Sequence, residues 1–213
     1  MIDVSHFQDG DTNYLIYKTD DNSQNKPAKI YIRAFDFANL SFLEEPTLLI
    51  SADREYEKNV VEGPWMIKTK GFYYLFYSVS GYGDPMYAVG VARSEALKGP
   101  YEKSETPVLH TDWNLEMYAV DSAFEGPGHC SVIYIQETGT WWMVYHSWLY
   151  GKIGQSPGRV MLADPLAFTP DKWPYMKNGP YPSFKPQGAP LGHNWGYKLT
   201  KDLPLAYLRG GCN

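Results

Sequence analysis

Three ionisable residues precede three copies of a short aromatic phrase at nearly equal distances. The copies are Tyr14-Leu15-Ile16-Tyr17, Tyr74-Leu75-Phe76-Tyr77 and Trp142-Met143-Val144-Tyr145. Asp3 lies 11 residues before the first copy, Glu62 lies 12 before the second, and His129 lies 13 before the third. Carboxyl and imidazole groups at one site can act as general acid, general base or orienting group. The spacing therefore predicts that these three side chains converge on one site.

The elements that must position these residues repeat with the same internal order. Each unit opens with a short β-rich run that carries the ionisable residue, followed by a turn with the glycine that a hairpin needs for positive φ. The turns are Asp9-Gly10-Asp11, Thr69-Lys70-Gly71 and Glu137-Thr138-Gly139. The aromatic strand follows, and then an apolar strand that ends at Ala34, Ala92 or Ala163. A fourth strand is predicted near residues 47–50, 107–110 and 175–177.

A four-stranded unit that recurs about every 60 residues is typical of a β-propeller blade. We therefore predict an all-β fold with blades at about 1–57, 58–122 and 123–186, and a closing segment or tail at 187–213. Because innermost strands line the channel of a propeller, Asp3, Glu62 and His129 should face one another across its mouth. Propellers typically close with about four to eight blades. The sequence is therefore expected to be part of a longer protein or to complete a ring as a homo-oligomer.

Composition excludes several classes of partner. A net charge of -5 and a pI near 5.5 leave no basic stripe for nucleic acid or an anionic membrane. No apolar run approaches the roughly 20 residues of a membrane-spanning helix. The sequence begins without the basic and apolar regions of a signal peptide. Phosphate-cradling loops, G-x-S-x-G and regular metal-ligand spacing do not occur, so no organic cofactor is predicted.

Four segments, in this order, resemble the landmarks of glycoside hydrolase family 43. They are Ile2-Asp3-Val4-Ser5-His6, Val61-Glu62-Gly63-Pro64 with the aromatic run at 70–78, Gly126-Pro127-Gly128-His129, and Arg159 ahead of Asp171-Lys172-Trp173-Pro174. The resemblance covers about residues 1–175, and the segments look like the third to fifth blades of a five-bladed propeller.

The resemblance implies hydrolysis of α-L-arabinofuranosides, β-xylosides or arabinan with inversion of configuration. It implies Glu62 as the general acid, Asp3 as the residue that tunes it, and Arg159 as an active-site residue. His129 would lie at the channel centre, beside a structural calcium or sodium ion. Inversion also needs a base that activates water, with the two carboxyl groups about 6.5–9.5 Å apart.

In this family the base is an aspartate of the first blade, for which the sequence shows no equivalent. We therefore expect the base to come from an N-terminal portion outside this sequence or from a second chain. The alternative is a propeller that binds carbohydrate without hydrolysing it, and a second alternative is an interaction module in which the repeat is only scaffold. Sugar stacking is assigned to Trp148 and Tyr82, since aromatic rings offer apolar area to sugar C–H faces. The compartment stays open, with secretion favoured by the family.

Overall fold

Thirteen β-strands form most of the regular structure in the residues that the computed structural model describes, 1–112 and 124–183. They are β1 Ile2–Asp9, β2 Thr12–Lys18, β3 Lys29–Asp36, β4 Ser41–Phe42, β5 Thr47–Ser51, β6 Val61–Thr69, β7 Phe72–Val79, β8 Ala88–Ser94, β9 Glu102–Lys103, β10 Phe124–Ile135, β11 Thr140–Leu149, β12 Val160–Phe168 and β13 Pro174–Met176. Two short 3-10 turns occur at Asp21–Gln24 and Glu55–Glu57. Within these residues no helix has the length and apolar character needed to cross a bilayer.

Antiparallel pairing joins the strands into three sheets whose strand order follows the chain. The first sheet contains β1–β5, the second β6–β9 and the third β10–β13. This confirms the predicted all-β propeller architecture, with one difference. The first sheet has five strands, because β4 pairs with one end of β3 and β5 pairs with the other. The predicted blade boundaries stay predictions, and the tail at 187–213 lies outside the described residues.

The fourth strands agree with the sequence to different degrees. β5 and β13 overlap the predicted segments at 47–50 and 175–177. In the second sheet the outer strand is β9, several residues before the predicted segment. Leu109 makes only an isolated bridge to Val89. The pattern of apolar residues therefore located a segment that packs in the core without forming a strand.

The second sheet lies between the other two and is covered on both faces. Leu75 and Tyr77 of β7 belong to the cluster that packs against the first sheet. Tyr74 and Phe76 belong to the cluster that packs against the third. All four side chains are fully buried. Because successive residues of a strand point to opposite faces, the aromatic phrase at 74–77 fills both interfaces.

The inner strand of each sheet contains a β-bulge, at which two residues oppose one residue of the aromatic strand. Each of these bulges begins with a residue at positive φ: Asp3 at 52°, Gly63 at 53° and His129 at 53°. The opposing residues are Tyr17, Tyr77 and Tyr145, which end the three aromatic phrases. The bulge is thus the structural feature that repeats with the phrase.

This register corrects part of the sequence alignment. The structural equivalent of Asp3 and His129 is Gly63, and Glu62 lies one residue earlier. His129 is also not at the start of its strand but is the sixth residue of β10. A further bulge at Gly126, where φ is 58°, lengthens that strand. Residue spacing alone could not distinguish a bulge from a longer hairpin.

Candidate active site

Glu62 is the predicted site residue whose carboxylate accepts hydrogen bonds from two side chains. Its Oε2 accepts a hydrogen bond from Lys18 Nζ at 3.1 Å, and its Oε1 accepts one from the Tyr87 hydroxyl at 2.7 Å. The Lys18 side chain is only 2% exposed, whereas that of Glu62 is 16% exposed. Each carboxylate oxygen thus has one strong donor, and the carboxylate still reaches solvent.

Tyr87 is brought to Glu62 by close packing on a glycine. A Cβ atom at Gly128 would lie 2.1 Å from the Tyr87 ring, so only glycine leaves room for it. Burial raises the pKa of Tyr87, and the neighbouring carboxylate of Glu62 raises it further. The phenol therefore keeps its proton and donates to Glu62 over the whole range in which proteins function.

Asp3 contacts the backbone beside the acid rather than its side chain. Its Oδ2 accepts a hydrogen bond from the amide of Gly63 at 3.1 Å. Because that amide follows Glu62 directly, Asp3 fixes the bulge from which Glu62 projects. The structure thus brings Asp3 and Glu62 together, and the tuning role of Asp3 stays a prediction.

The ring of His129 lies over the same bulge. A Cβ atom at Gly63 would lie 3.2 Å from His129 Nδ1, and Gly63 has positive φ, so two independent constraints favour glycine there. The amide of His129 donates to Ser78 Oγ at 2.6 Å. The ring of His146 lies 6.5 Å from that of His129, measured between centroids. His129 therefore joins the residues around Glu62 to the third sheet.

Two buried donors or acceptors next to His129 have no hydrogen-bond partner among the described residues. They are Nδ1 of His146 and Nη1 of Arg159. Burial lowers the pKa of His146, and the positive charge of Arg159 lowers it further. Buried polar atoms are nearly always paired in proteins, and the exceptions deserve an explanation. Hydroxyl groups of a bound sugar could satisfy both atoms.

Tyr82 and Trp148 lie beside Arg159. The guanidinium carbon of Arg159 is 5.3 Å from the centroid of the Tyr82 ring. Trp148 Nε1 donates to the Tyr82 carbonyl at 2.7 Å, and both residues line a cavity of about 620 Å³. Tyr82 is 61% exposed and free to stack, whereas Trp148 is only 8% exposed. Trp148 therefore mainly supports the loop that carries Tyr82, and sugar stacking by either ring stays a prediction.

Sequence analysis missed the residue that follows each aromatic phrase. These residues are Lys18, Ser78 and His146, which occupy equivalent positions in β2, β7 and β11. Lys18 contacts Glu62 and Ser78 contacts the His129 amide, as described above. The signal was present, since each phrase is followed by a polar residue at the end of an apolar strand. Three polar residues at this repeated position would have identified a second row of site residues.

The described residues offer no set of protein ligands for the predicted cation beside His129. Residues 1–112 and 124–183 contain no group of three or more His, Cys, Asp or Glu side chains that could hold a metal ion. His129 and His146 are both nearby, but no carboxylate joins them in such a group. The calcium or sodium ion stays a prediction, and no chemical step is derived from it.

Comparison with known proteins gives a consistent result. The putative beta-xylosidase of Escherichia coli (strain K12) is 28% identical over 218 residues, which cover 91% of this chain and 38% of that protein. The beta-D-galactofuranosidase xynD of Aspergillus niger is 33% identical over 86 residues, which cover 40% of this chain and 23% of that protein. The chain thus spans less than half of the length of either relative.

A solved structure and a family profile agree with these relatives. The crystal structure of a thermostable family-43 glycoside hydrolase is 30% identical, with a TM-score of 0.73, and the match covers 90% of this chain and 61% of that one. The profile of Glycosyl hydrolases family 43 matches residues 1–174. Since that match covers most of the sequence, the chain belongs to glycosyl hydrolases family 43.

Proposed function

We propose that the protein hydrolyses α-L-arabinofuranosides or β-D-xylosides with inversion, and that Glu62 is the general acid. The observation that carries this assignment is the placement of the Glu62 carboxylate, which two donors hold at a solvent-accessible position. The names of two relatives, a putative beta-xylosidase and a beta-D-galactofuranosidase, support a glycosidic substrate without fixing the sugar.

Lys18 imposes a condition on this role. A proton donor must hold its proton at the moment of transfer. Lys18 and Tyr87 each donate to one carboxylate oxygen of Glu62, so neither oxygen is free to carry that proton to a leaving group. We therefore propose that the contact between Lys18 and Glu62 loosens when a substrate fills the site. Tyr87 would then keep the carboxyl group in place, because its phenol stays protonated and can continue to donate.

Substrate recognition is assigned to the third sheet and to the loop that carries Tyr82. Arg159 Nη1 would donate to a sugar hydroxyl, His146 Nδ1 would donate to or accept from another, and the exposed ring of Tyr82 would cover a sugar face. Asp3 is proposed to orient the acid through the amide of Gly63. We assign no general base within residues 1–112 and 124–183. The predicted homo-oligomer and the predicted secretion both stay predictions.

Turnover of aryl glycosides tests this proposal. Wild-type protein and Glu62→Gln would be assayed on 4-nitrophenyl α-L-arabinofuranoside, β-D-xyloside and β-D-galactofuranoside. Loss of a general acid should lower kcat by about 10²–10⁴-fold. The loss should be much smaller on a 2,4-dinitrophenyl glycoside of the same sugar, because that leaving group needs little protonation.

Two outcomes would contradict the assignment. Equal losses on both leaving groups would mean that Glu62 is not the proton donor. No turnover by the wild-type chain, with binding of xylotriose or arabinotriose seen by calorimetry, would instead favour the non-hydrolysing carbohydrate-binding alternative. Lys26→Gln changes an exposed lysine of the first sheet's loop and serves as a control for unspecific effects.

A further inference from the structure

A second cavity lies at the opposite end of the inner strands, between the second and third sheets. Its volume is about 770 Å³, and we call it the distal cleft. Its walls come from the β6–β7 and β10–β11 hairpins and from β12. The residues used below are Lys70, Tyr134, Trp141, Phe168 and Lys177, all of which line it. Thr69, also in the wall, lies seven residues beyond Glu62 on β6, which is about 20 Å along an extended strand.

Aromatic rings form one side of the distal cleft. Tyr134 is 48% exposed, and its ring lies 4.9 Å from that of Trp141 with an interplanar angle of 47°. Trp141 in turn contacts Phe168 edge-on, with centroids 6.1 Å apart. Trp141 and Phe168 pack against the core between the sheets. The core therefore holds these rings in place and leaves Tyr134 available to a ligand, which is the arrangement that sugar C–H faces require.

Positive charge without a matching carboxylate also lines the cleft, and Lys70 Nζ lies 5.5 Å from the centroid of the Phe168 ring. Lys70 and Lys177 line the cleft, and neither is within 4 Å of a carboxylate among the described residues. The residues described in the lining include no Asp or Glu. Five other described lysines are ion-paired, whereas the remaining ones outside the cleft (Lys26, Lys29, Lys152 and Lys172) are not. Lys70 and Lys177 are distinguished because both line one cleft. In a protein of net charge -5, two unpaired cations in one cleft favour an anionic ligand.

We propose that the distal cleft binds a saccharide that carries a uronic acid. The sugar face would stack on Tyr134, and the carboxylate would pair with Lys70 and Lys177. This goes beyond the proposed function, because the ligand occupies neither Glu62 nor its surroundings. A decorated polysaccharide could then contact the protein at two separate places, with its acidic branch at the distal cleft.

Isothermal titration calorimetry with two probes tests the proposal. The probes are xylotetraose and xylotetraose that carries one glucuronic acid branch. The variants are Tyr134→Ala and the double variant Lys70→Asn with Lys177→Gln, in which Asn is chosen because Lys70 has a φ of 53°. Each variant should weaken binding of the branched probe by about tenfold or more, because Tyr134→Ala removes the stacking surface and the lysine variant removes both charge-assisted contacts. Lys26→Gln, which removes one positive charge outside the cleft, should have no effect.

Amide chemical shifts locate the binding and separate this proposal from the previous one. The branched probe should shift the amides of Gly71 and Gly139, and these shifts should persist in Glu62→Gln. Equal affinity for the neutral and the branched probe would overturn the proposal. So would shifts confined to the surroundings of Gly63, or binding that the lysine variants leave unchanged. A catalytically inactive protein with intact binding here would leave the proposal standing.

Discussion

Two lysine–glutamate pairs with a buried lysine occur among residues 1–112 and 124–183, and they differ in how completely the carboxylate is bonded. Glu57 has no exposed surface, and Lys103 Nζ contacts its two oxygens at 2.7 and 2.9 Å. Glu57 also accepts from the Tyr77 hydroxyl at 3.0 Å and from the amides of Asp53 and Arg54 at 2.7 and 2.9 Å. Both oxygens of this carboxylate are saturated with hydrogen bonds from the protein, so its role is structural.

Glu62 has the same kind of partners but fewer of them. It has one ammonium and one phenol, and 16% of its side chain remains exposed. In both pairs a tyrosine hydroxyl contacts the carboxylate, and burial is the main reason why the pKa of Tyr77 and of Tyr87 is raised. Reactivity therefore depends on the acceptor positions that the protein leaves open. Of the two carboxylates, only that of Glu62 can accept a proton or a ligand while a donor still holds it in place.

The largest effect on stability should come from the fully bonded pair. Lys103→Met leaves the buried Glu57 carboxylate without its cation, so the free energy of unfolding should fall by about 3–5 kcal/mol. Urea denaturation measures this. Adding Glu57→Gln removes the uncompensated charge and should recover part of the loss. A loss below about 1 kcal/mol for Lys103→Met would show that the two pairs do not differ as described.

Glu62→Gln should cost less stability than Lys103→Met. The change leaves the Lys18 ammonium buried, but Asn22 Oδ1 still accepts from it at 3.1 Å, so we expect a loss of about 1–2 kcal/mol with the fold intact. Lys18→Met in the same background removes the buried cation, whose remaining carboxylate partner is Asp20 at 3.9 Å. The double variant should therefore be more stable than Glu62→Gln alone in the same denaturation experiment. Additive losses would mean that Lys18 and Glu62 are not coupled.

The smallest of the three effects on stability should be a pH dependence that arises from His146 in the candidate site. Because the pKa of His146 is lowered in the folded protein, the unfolded chain binds its proton first as the pH falls. Stability that is present above the ordinary histidine pKa of 6.5 should therefore decrease as the pH falls through that value.

Comparison of wild type with His146→Phe isolates that contribution. Thermal unfolding between pH 7.5 and 5 should show a flatter pH dependence in the variant, whereas Lys26→Gln, which changes an exposed residue, should keep the wild-type slope over that range. Parallel curves for wild type and His146→Phe would contradict the assignment of a lowered pKa to His146.

The fold could be predicted from the sequence because its signals are local. Hairpin glycines at 10, 71 and 139 lie between apolar runs of the right length, and the structure has positive φ at all three. The aromatic phrases mark the second strand of each sheet. The departures arose where strands are very short. β4 and β9 have two residues each, which is too short for a periodic signal.

The candidate site could be predicted only in part, for a related reason. Asp3 and His129 occupy equivalent bulges, whereas Glu62 precedes its bulge by one residue. The turn of the third hairpin is two residues longer than those of the first two, so the distance to the aromatic phrase does not define the register. The partners of Glu62 are 44 and 25 residues away in sequence and come from other strands or loops. Such contacts depend on how sheets pack, which no single strand reveals.

One strand supports both carboxylates from consecutive residues. Tyr77 of β7 bonds Glu57 on one face of the second sheet, and the next residue, Ser78, bonds the amide of His129 beside Glu62. A displacement of β7 along its own axis would therefore disturb both places together. At this strand, the stability of the fold and the geometry of the candidate site are coupled. A substitution in β7 that changes one should therefore also change the other.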